Sequence, residues 1–240
     1  YLSSCASGRI TRMLLADVSG HGETVSRVAV GLRDLMRRNV NFIKQTRFVR
    51  AMNQQFGEAR QQDGFATALV STFFAPTRSF TLCNAGHPAP LIYRQDAAAW
   101  TELTSDAEPS EAVSDTPLGA VDEANYFQLD VRLQPGDMVL SFSDALTESL
   151  DVTGQQLGMR GVSQIIRELD VMNPAGMVPS LIERISALSE ENLEQDDATV
   201  LLCQATGGGP SLKKNLLAPF RLFRPVVDRT QLRQEDAKQH

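Results

Sequence analysis

Asp17 closes an apolar run, Leu14-Leu15-Ala16, and a glycine turn, Gly20-His21-Gly22, follows almost at once. Behind that turn Val25, Val28, Ala29, Leu32, Leu35 and Met36 recur at the i, i+3, i+4, i+7 spacing of one helix face. A buried strand therefore delivers a carboxylate to the mouth of a helix. A carboxylate placed there costs desolvation energy unless a cation or hydrogen bonds compensate it. Two readings meet that demand. Asp17 caps the helix behind it, with the glycines as ordinary turn residues, or it ligates a cation.

Two further carboxylate positions repeat the arrangement. Asp137-Met138-Val139-Leu140 is an apolar strand entered through a Pro135-Gly136 turn, and Ser143-Asp144 and Glu148 follow it. Asp196-Asp197-Ala198-Thr199 opens the last apolar run, Val200 to Cys203. Charges rarely stand beside buried strands unless they are paired or bind metal. No cysteine or histidine cluster accompanies them, and all-oxygen ligation suits magnesium, manganese or calcium.

DVSGHG at 17–22, NAGHPAPL at 84–91, PLG at 117–119, LSFSDALTES at 140–149 and QDDATVLL at 195–202 resemble the metal-dependent serine/threonine phosphatase (PPM) family, in its bacterial SpoIIE and RsbU branch. Each motif alone is weak; five in the family's order over nearly all of residues 9–205 are specific. The resemblance implies an α+β fold, a central antiparallel β-sandwich flanked by helix pairs. It implies a phosphatase domain over 1–205, truncated at its N-terminal edge; composition, with Lys and Arg outnumbering Asp and Glu after Gly207, gives a basic, disordered tail over 206–240. Its cofactors would be two divalent cations, Mn2+ or Mg2+. Asp17 would bridge both, and the Val18 carbonyl would complete the second site. Asp144 and Asp196 would hold the first, so Asp17, Asp144 and Asp196 are the catalytic candidates. Asp197 would support the ligands from behind, and Glu148 would be a further acid near the metals. Eukaryotic relatives carry a histidine two residues after the bridging aspartate. Ser19 stands there, so His21 reads as a turn histidine without an acid role. His87 reads the same way, fixing its turn by bonding backbone.

The implied reaction is hydrolysis of phosphoserine or phosphothreonine on a protein, with a STAS-type anti-sigma antagonist of partner-switching signalling as the substrate. A catalytically silent module of the same fold, binding a partner without turnover, is the alternative; retention of three costly carboxylates favours the enzyme. A nuclease would want a basic groove, whereas the net charge is −6. The family's upstream Gly-Gly-Asp motif is absent. The resemblance therefore implies a chain that starts inside its first hairpin, with an N-terminal sensor or regulatory region missing. Three cysteines without metal spacing, two of them in apolar runs, read as free thiols of a cytoplasmic protein. No apolar run reaches the ~20 residues of a membrane span. The oligomeric state stays open, a homodimer included.

Along the chain, a hairpin is expected over 1–18 and helices over 23–39 and 47–60, the latter capped by Thr46. Strands are expected over 65–74, 80–84, 89–93 and 100–103. Asp106 to Asp115 reads as an acidic flap ending at Pro117-Leu118-Gly119. Tyr126 to Leu133 alternates, with Phe127, Leu129, Val131 and Leu133 on the dry face. Two helices follow near 161–169 and 174–189, the second opened by Asn173-Pro174 and striped by Val178, Leu181, Ile182, Ile185 and Leu188. Gly207 to Pro210 reads as a linker. The branch is often switched through helices beside the active site, which makes the helix after Gly22 the candidate lever.

Overall fold

The computed structural model describes residues 1–5, 9–19, 23–39, 44–59, 65–104, 115–194 and 197–207, with the side chains of 5, 23–27, 39, 58 and 59 excepted. In chain order the elements are β1 (Leu2–Cys5), β2 (Ile10–Val18), α1 (Glu23–Asn39), α2 (Gln45–Ala59), β3 (Ala66–Phe74), β4 (Ser79–Ala85), β5 (Leu91–Arg94), β6 (Ala99–Glu102), β7 (Leu129–Arg132), β8 (Met138–Phe142), α3 (Ala145–Glu148), α4 (Gly158–Arg167), α5 (Pro174–Ser186) and β9 (Val200–Gln204). The strands form two antiparallel sheets, ordered β1-β2-β3-β4-β7 and β6-β5-β8-β9. This is the expected α+β sandwich with helix pairs outside. Among the described residues no helix is long and apolar enough to cross a membrane.

Strand periodicity sorts the core into three layers. On β2, Leu14, Ala16 and Val18 point to α1 and α2, where they meet Leu32, Met36, Phe48 and Met52. Met13 and Leu15 point the other way, into a layer shared with Ile92 and Val139 of the facing sheet. On β8, Met138, Leu140 and Phe142 pack under Val162, Ile166, Leu181 and Ile185 of α4 and α5. Both sheets are thus covered on both faces. That is why their central strands read as continuous apolar runs rather than alternating ones. Cys83 and Cys203 are free thiols, and burial pushes them up to about 12 and about 11.

Several boundaries differ from the sequence reading. The second helix starts at Gln45, so Thr46 lies inside it and caps nothing. The Gln45 N–H donates to Gln128 Oε1 at 3.2 Å, and the Gln45 side chain joins Val70 O and Thr72 Oγ1, both at 2.8 Å. A distant glutamine satisfies the helix end that a local threonine was expected to satisfy. The alternation over 126–133 fails at its start: Tyr126 is buried in the helical layer, Phe127 is 37% exposed, and strand pairing begins only at Leu129. In α5 it is Met177, not Val178, that is buried with Leu181 and Ile185. Asn173 does cap that helix, accepting from Gly176 N. Of the acidic flap only Asp115 is described. Most of 206–240, and so its expected disorder, also lies outside the described residues.

One turn places the site. Asn84 closes Asn84-Ala85-Gly86-His87 on itself, its Oδ1 accepting from His87 N at 2.8 Å and its Nδ2 donating to His87 O at 2.7 Å. Gly86 has φ +73, and a Cβ there would come within 2.6 Å of Pro117 Cγ. Gly86→Ala is therefore expected to cost about 2–4 kcal/mol, left-handed strain plus a forced shift. Gly154 has φ +81 but open space around it, so Gly154→Ala should carry the strain alone, about 1–2 kcal/mol. Urea unfolding of both variants measures the difference; equal losses would mean the Pro117 contact yields freely.

Candidate metal centre at the end of the sandwich

The ends of six strands meet at one edge of the sandwich. Asp17 stands near the end of β2, opposite Thr67 at the start of β3. By strand alternation Asp17 shares the inter-sheet face of Met13 and Leu15. β4 leaves the same end through the Asn84 turn and carries the chain across to β5, whose first residue, Leu91, pairs with Leu140 of β8. β8 then runs to Phe142 at that end, Asp144 follows it, and Phe142 pairs with Val200 where β9 begins. The topology thus brings Asp17 and Asp144, 127 positions apart in the chain (144 − 17), to one end and one seam.

Asp144 occupies the N-cap position of α3, yet its side chain makes no capping hydrogen bond. Its Oδ1 is buried and has no hydrogen-bond partner. A carboxylate oxygen in that state is costly unless a cation compensates it. The donor set suits a hard divalent cation: carboxylate and backbone oxygens at a strand edge. The segment entering β9 is fastened to the residue before Asp144. Ser143 N donates to Thr199 O at 2.9 Å, Thr199 N to Ser143 Oγ at 3.0 Å, and Ser143 Oγ to Asp197 O at 3.2 Å. Asp197 is exposed, and Glu148 is exposed at the far end of α3. Asp196 and His21 lie outside the described residues, and among those described no three His, Cys, Asp or Glu side chains gather as a ligand group.

Ser19 ties the end of β2 to the residue that leads into β3. Its N–H and Oγ both donate to Phe65 O, at 3.0 and 2.8 Å, and Phe65 N donates back to Oγ at 3.1 Å. The PLG segment docks beside it: Ala66 and Leu118 exchange backbone bonds of 3.0 and 2.8 Å, and Asn53 of α2 accepts from Gly119 N at 2.8 Å. Asn53 sits within an otherwise apolar helix stripe, and a polar residue there was the available signal for this contact.

His87 departs from expectation. Asn84 fixes the turn; the His87 ring bonds a side chain instead, Nδ1 lying 2.9 Å from Thr67 Oγ1. The ring is 5% exposed. Burial pulls it down to about 4, against opposing effects of the Asp144 charge and the Phe142 backbone, so it is neutral at pH 7.

Comparison with known proteins agrees with this architecture. A structure of RsbU and RsbW domains from Mycobacterium tuberculosis superposes with a TM-score of 0.66 at 22% identity, over 88% of this chain and 56% of that one. The PP2C phosphatase domain structure of SpoIIE from Bacillus subtilis gives 0.67 at 17% identity, over 85% and 57%. The SiaA-PP2C domain of Pseudomonas aeruginosa gives 0.69 at 14%, over 82% and 76%. In sequence, the chain is similar to the phosphoserine phosphatase RsbU of Bacillus subtilis (strain 168), 25% identical over 138 residues, which span 58% of this chain and 38% of RsbU. The chain thus covers well under two thirds of that relative's length. The family model described as Stage II sporulation protein E (SpoIIE) matches residues 7–206, and the chain belongs to that family.

Proposed function

We propose that this chain is a metal-dependent phosphatase that hydrolyses phosphoserine or phosphothreonine on a protein. The carrying observation is the buried Asp144 Oδ1, unbonded and not capping its helix, at the sandwich end that also holds Asp17. Asp17, the Val18 carbonyl, Asp144 and Asp196 would hold two divalent cations, Mn2+ or Mg2+. When bound, such a pair acidifies water and offsets the charge of the transferring phosphoryl group. The protein's own part is positional. The Ser143 hydrogen bonds hold the Asp197 segment beside Asp144, and the Ser19–Phe65 bonds hold the end of β2. A STAS-type protein of partner-switching signalling is the proposed substrate, on the likeness to RsbU.

The test is turnover of a phosphoserine peptide and of a generic phosphomonoester, with and without manganese. Manganese-dependent release of phosphate supports the reading. Tight manganese binding without turnover on either substrate would leave the silent module as the better description.

Helix α1 is proposed as the regulatory lever, because only residues 18–22 separate it from Asp17. Val28 is half-buried against the helical layer, whereas Leu32 is 2% exposed within it. Leu32→Ala would cost about 2–5 kcal/mol of stability and so cannot isolate the lever. Val28→Ala should instead shift half-saturation by manganese by about 3–10-fold with little loss of stability, since small misplacements of ligands are costly. Metal titrations of activity check this, and an unmoved half-saturation removes the lever.

A further inference from the structure

The ring of His87 spans the seam between the sheets at the end that holds Asp17 and Asp144. On one side Nδ1 meets Thr67 Oγ1 at 2.9 Å, and Thr67 is the cross-strand partner of Asp17. On the other side the ring lies within reach of the Asp144 charge and the Phe142 backbone. Its Nε2 is buried and completes a hydrogen bond to neither, as Asp144 Oδ1 is buried and unbonded. The turn that presents the ring is rigid, clamped by Asn84 and bridged from Gly86 to Ala68 of β3. A buried imidazole held at Thr67 thus ends in an unused nitrogen, at the same end of the sandwich where Asp144 keeps an unused carboxylate oxygen.

The tautomer follows from the surroundings. A neutral ring has one N–H and one lone pair. A lone pair on Nε2 would oppose both the carbonyl and the carboxylate on that side. An N–H on Nε2 is attracted to both, and Nδ1 then accepts from the Thr67 hydroxyl.

We propose that Thr67 and His87 form a positioning pair, in which Thr67 Oγ1–H fixes the ring through Nδ1 and Nε2–H orients the Asp144 carboxylate relative to Asp17 for a divalent cation. This inference rests on the metal-site reading above. Thr67 and His87 touch no substrate in it. They set the spacing between a ligand on one sheet and a ligand on the other, and so raise metal affinity without contributing a ligand.

The test uses manganese alone, with affinity read by the electron-paramagnetic-resonance signal of the free ion, beside thermal melts of the metal-free protein. Thr67→Val, nearly isosteric, removes the hydroxyl; Thr67→Ser keeps it; His87→Ala removes the ring. Thr67→Val and His87→Ala should weaken manganese binding about 10-fold or more and lower kcat at saturating substrate more than they change KM. Thr67→Ser should return affinity to within about 2-fold of wild type, given that hydroxyl. A purely structural pair would lower the melting temperature and leave manganese affinity alone. Thr67→Val keeps the test decisive even where His87→Ala fails to fold. Wild-type affinity in Thr67→Val, alongside loss of binding in Asp144→Asn, overturns the positioning pair only. Wild-type affinity in Asp144→Asn overturns the metal-site reading and this inference with it.

Discussion

Asp144→Asn is expected to lower manganese-dependent turnover by at least about 100-fold, with the metal-free protein still folded. Groups that only support metal ligands are worth roughly 10–100-fold in affinity or activity, and a direct ligand lies at or beyond the upper end of that range. The expectation of an intact fold comes from the local structure. Asp144 Oδ1 has no hydrogen bond to lose, and the side chain does not cap α3. The amide is nearly isosteric, so packing is kept. Asp17→Asn should behave alike, because each substitution removes a negative charge from one seam and relieves repulsion in the absence of metal. Steady-state kinetics across a manganese titration, with calorimetry in a chelator, separate the two effects. Turnover within a few-fold of wild type would take Asp144 out of the site; an unfolded variant would give it a structural role instead.

Asp137→Ala is expected to destabilise the protein by about 2–4 kcal/mol, the cost of leaving two backbone N–H groups without the carboxylate that accepts from them. Asp137 is 1% exposed, yet it is well served. Its carboxylate accepts from Arg94 Nη1 at 2.8 Å, from Gln95 N at 2.9 Å and from Gln134 N at 2.9 Å. Alanine would leave the Gln95 and Gln134 N–H groups without their acceptor, whereas Arg94 keeps Arg132 O at 2.9 Å and its contact with solvent. The exposed pair Arg184–Glu168, 3.0 Å apart, supplies the contrast: Glu168→Ala should change stability by no more than about 1 kcal/mol. Urea denaturation of the two variants checks both figures, and comparable losses would refute the burial argument. Acid gives a second readout. Burial pushes the Asp137 carboxyl up, but the Gln95 and Gln134 N–H groups and Arg94 together hold it below its ordinary 3.8. In this case the unfolded chain takes up the proton first as pH falls. The stability Asp137 contributes is complete above its ordinary value and is lost as pH falls through the lower folded value. In Asp137→Asn that part of the acid dependence should disappear.

The Asp137 cluster also shows where reading the sequence stopped. Pro135-Gly136-Asp137 announces a turn into a strand, and a turn it is. Nothing local reveals that the aspartate is buried on an arginine 43 positions back. A still longer separation hid the true cap of α2, since Gln128 reaches Gln45 across 83 positions. It also hid the dry face before β7, where Tyr126 rather than Phe127 turns inward because the helical layer, not the strand period, decides there. Helix α1, by contrast, was legible to the residue, and the hairpin of β1 and β2 lies where it was expected. Their signals are periodicity and turn chemistry over a few neighbouring positions.

For the site the division is similar. Sequence by itself determined that carboxylates stand at the ends of apolar strands at Asp17 and Asp144, because alternation and turn residues are local properties and a charge beside an apolar run is visible without a fold; the same reading of Asp196 lies outside the described residues. The order and spacing of the five motifs also sufficed for the family and the sandwich it implies. Which of those ends share an edge was a tertiary matter. It depended on the Asn84 turn carrying the chain from one sheet to the other, and on the register that sets Thr67 opposite Asp17. His87 was read as a residue of its own turn, since a local pattern can assign it only local partners. The packing of two sheets gave its ring a bond to Thr67 and the influence of the Asp144 charge, and burial there left it neutral.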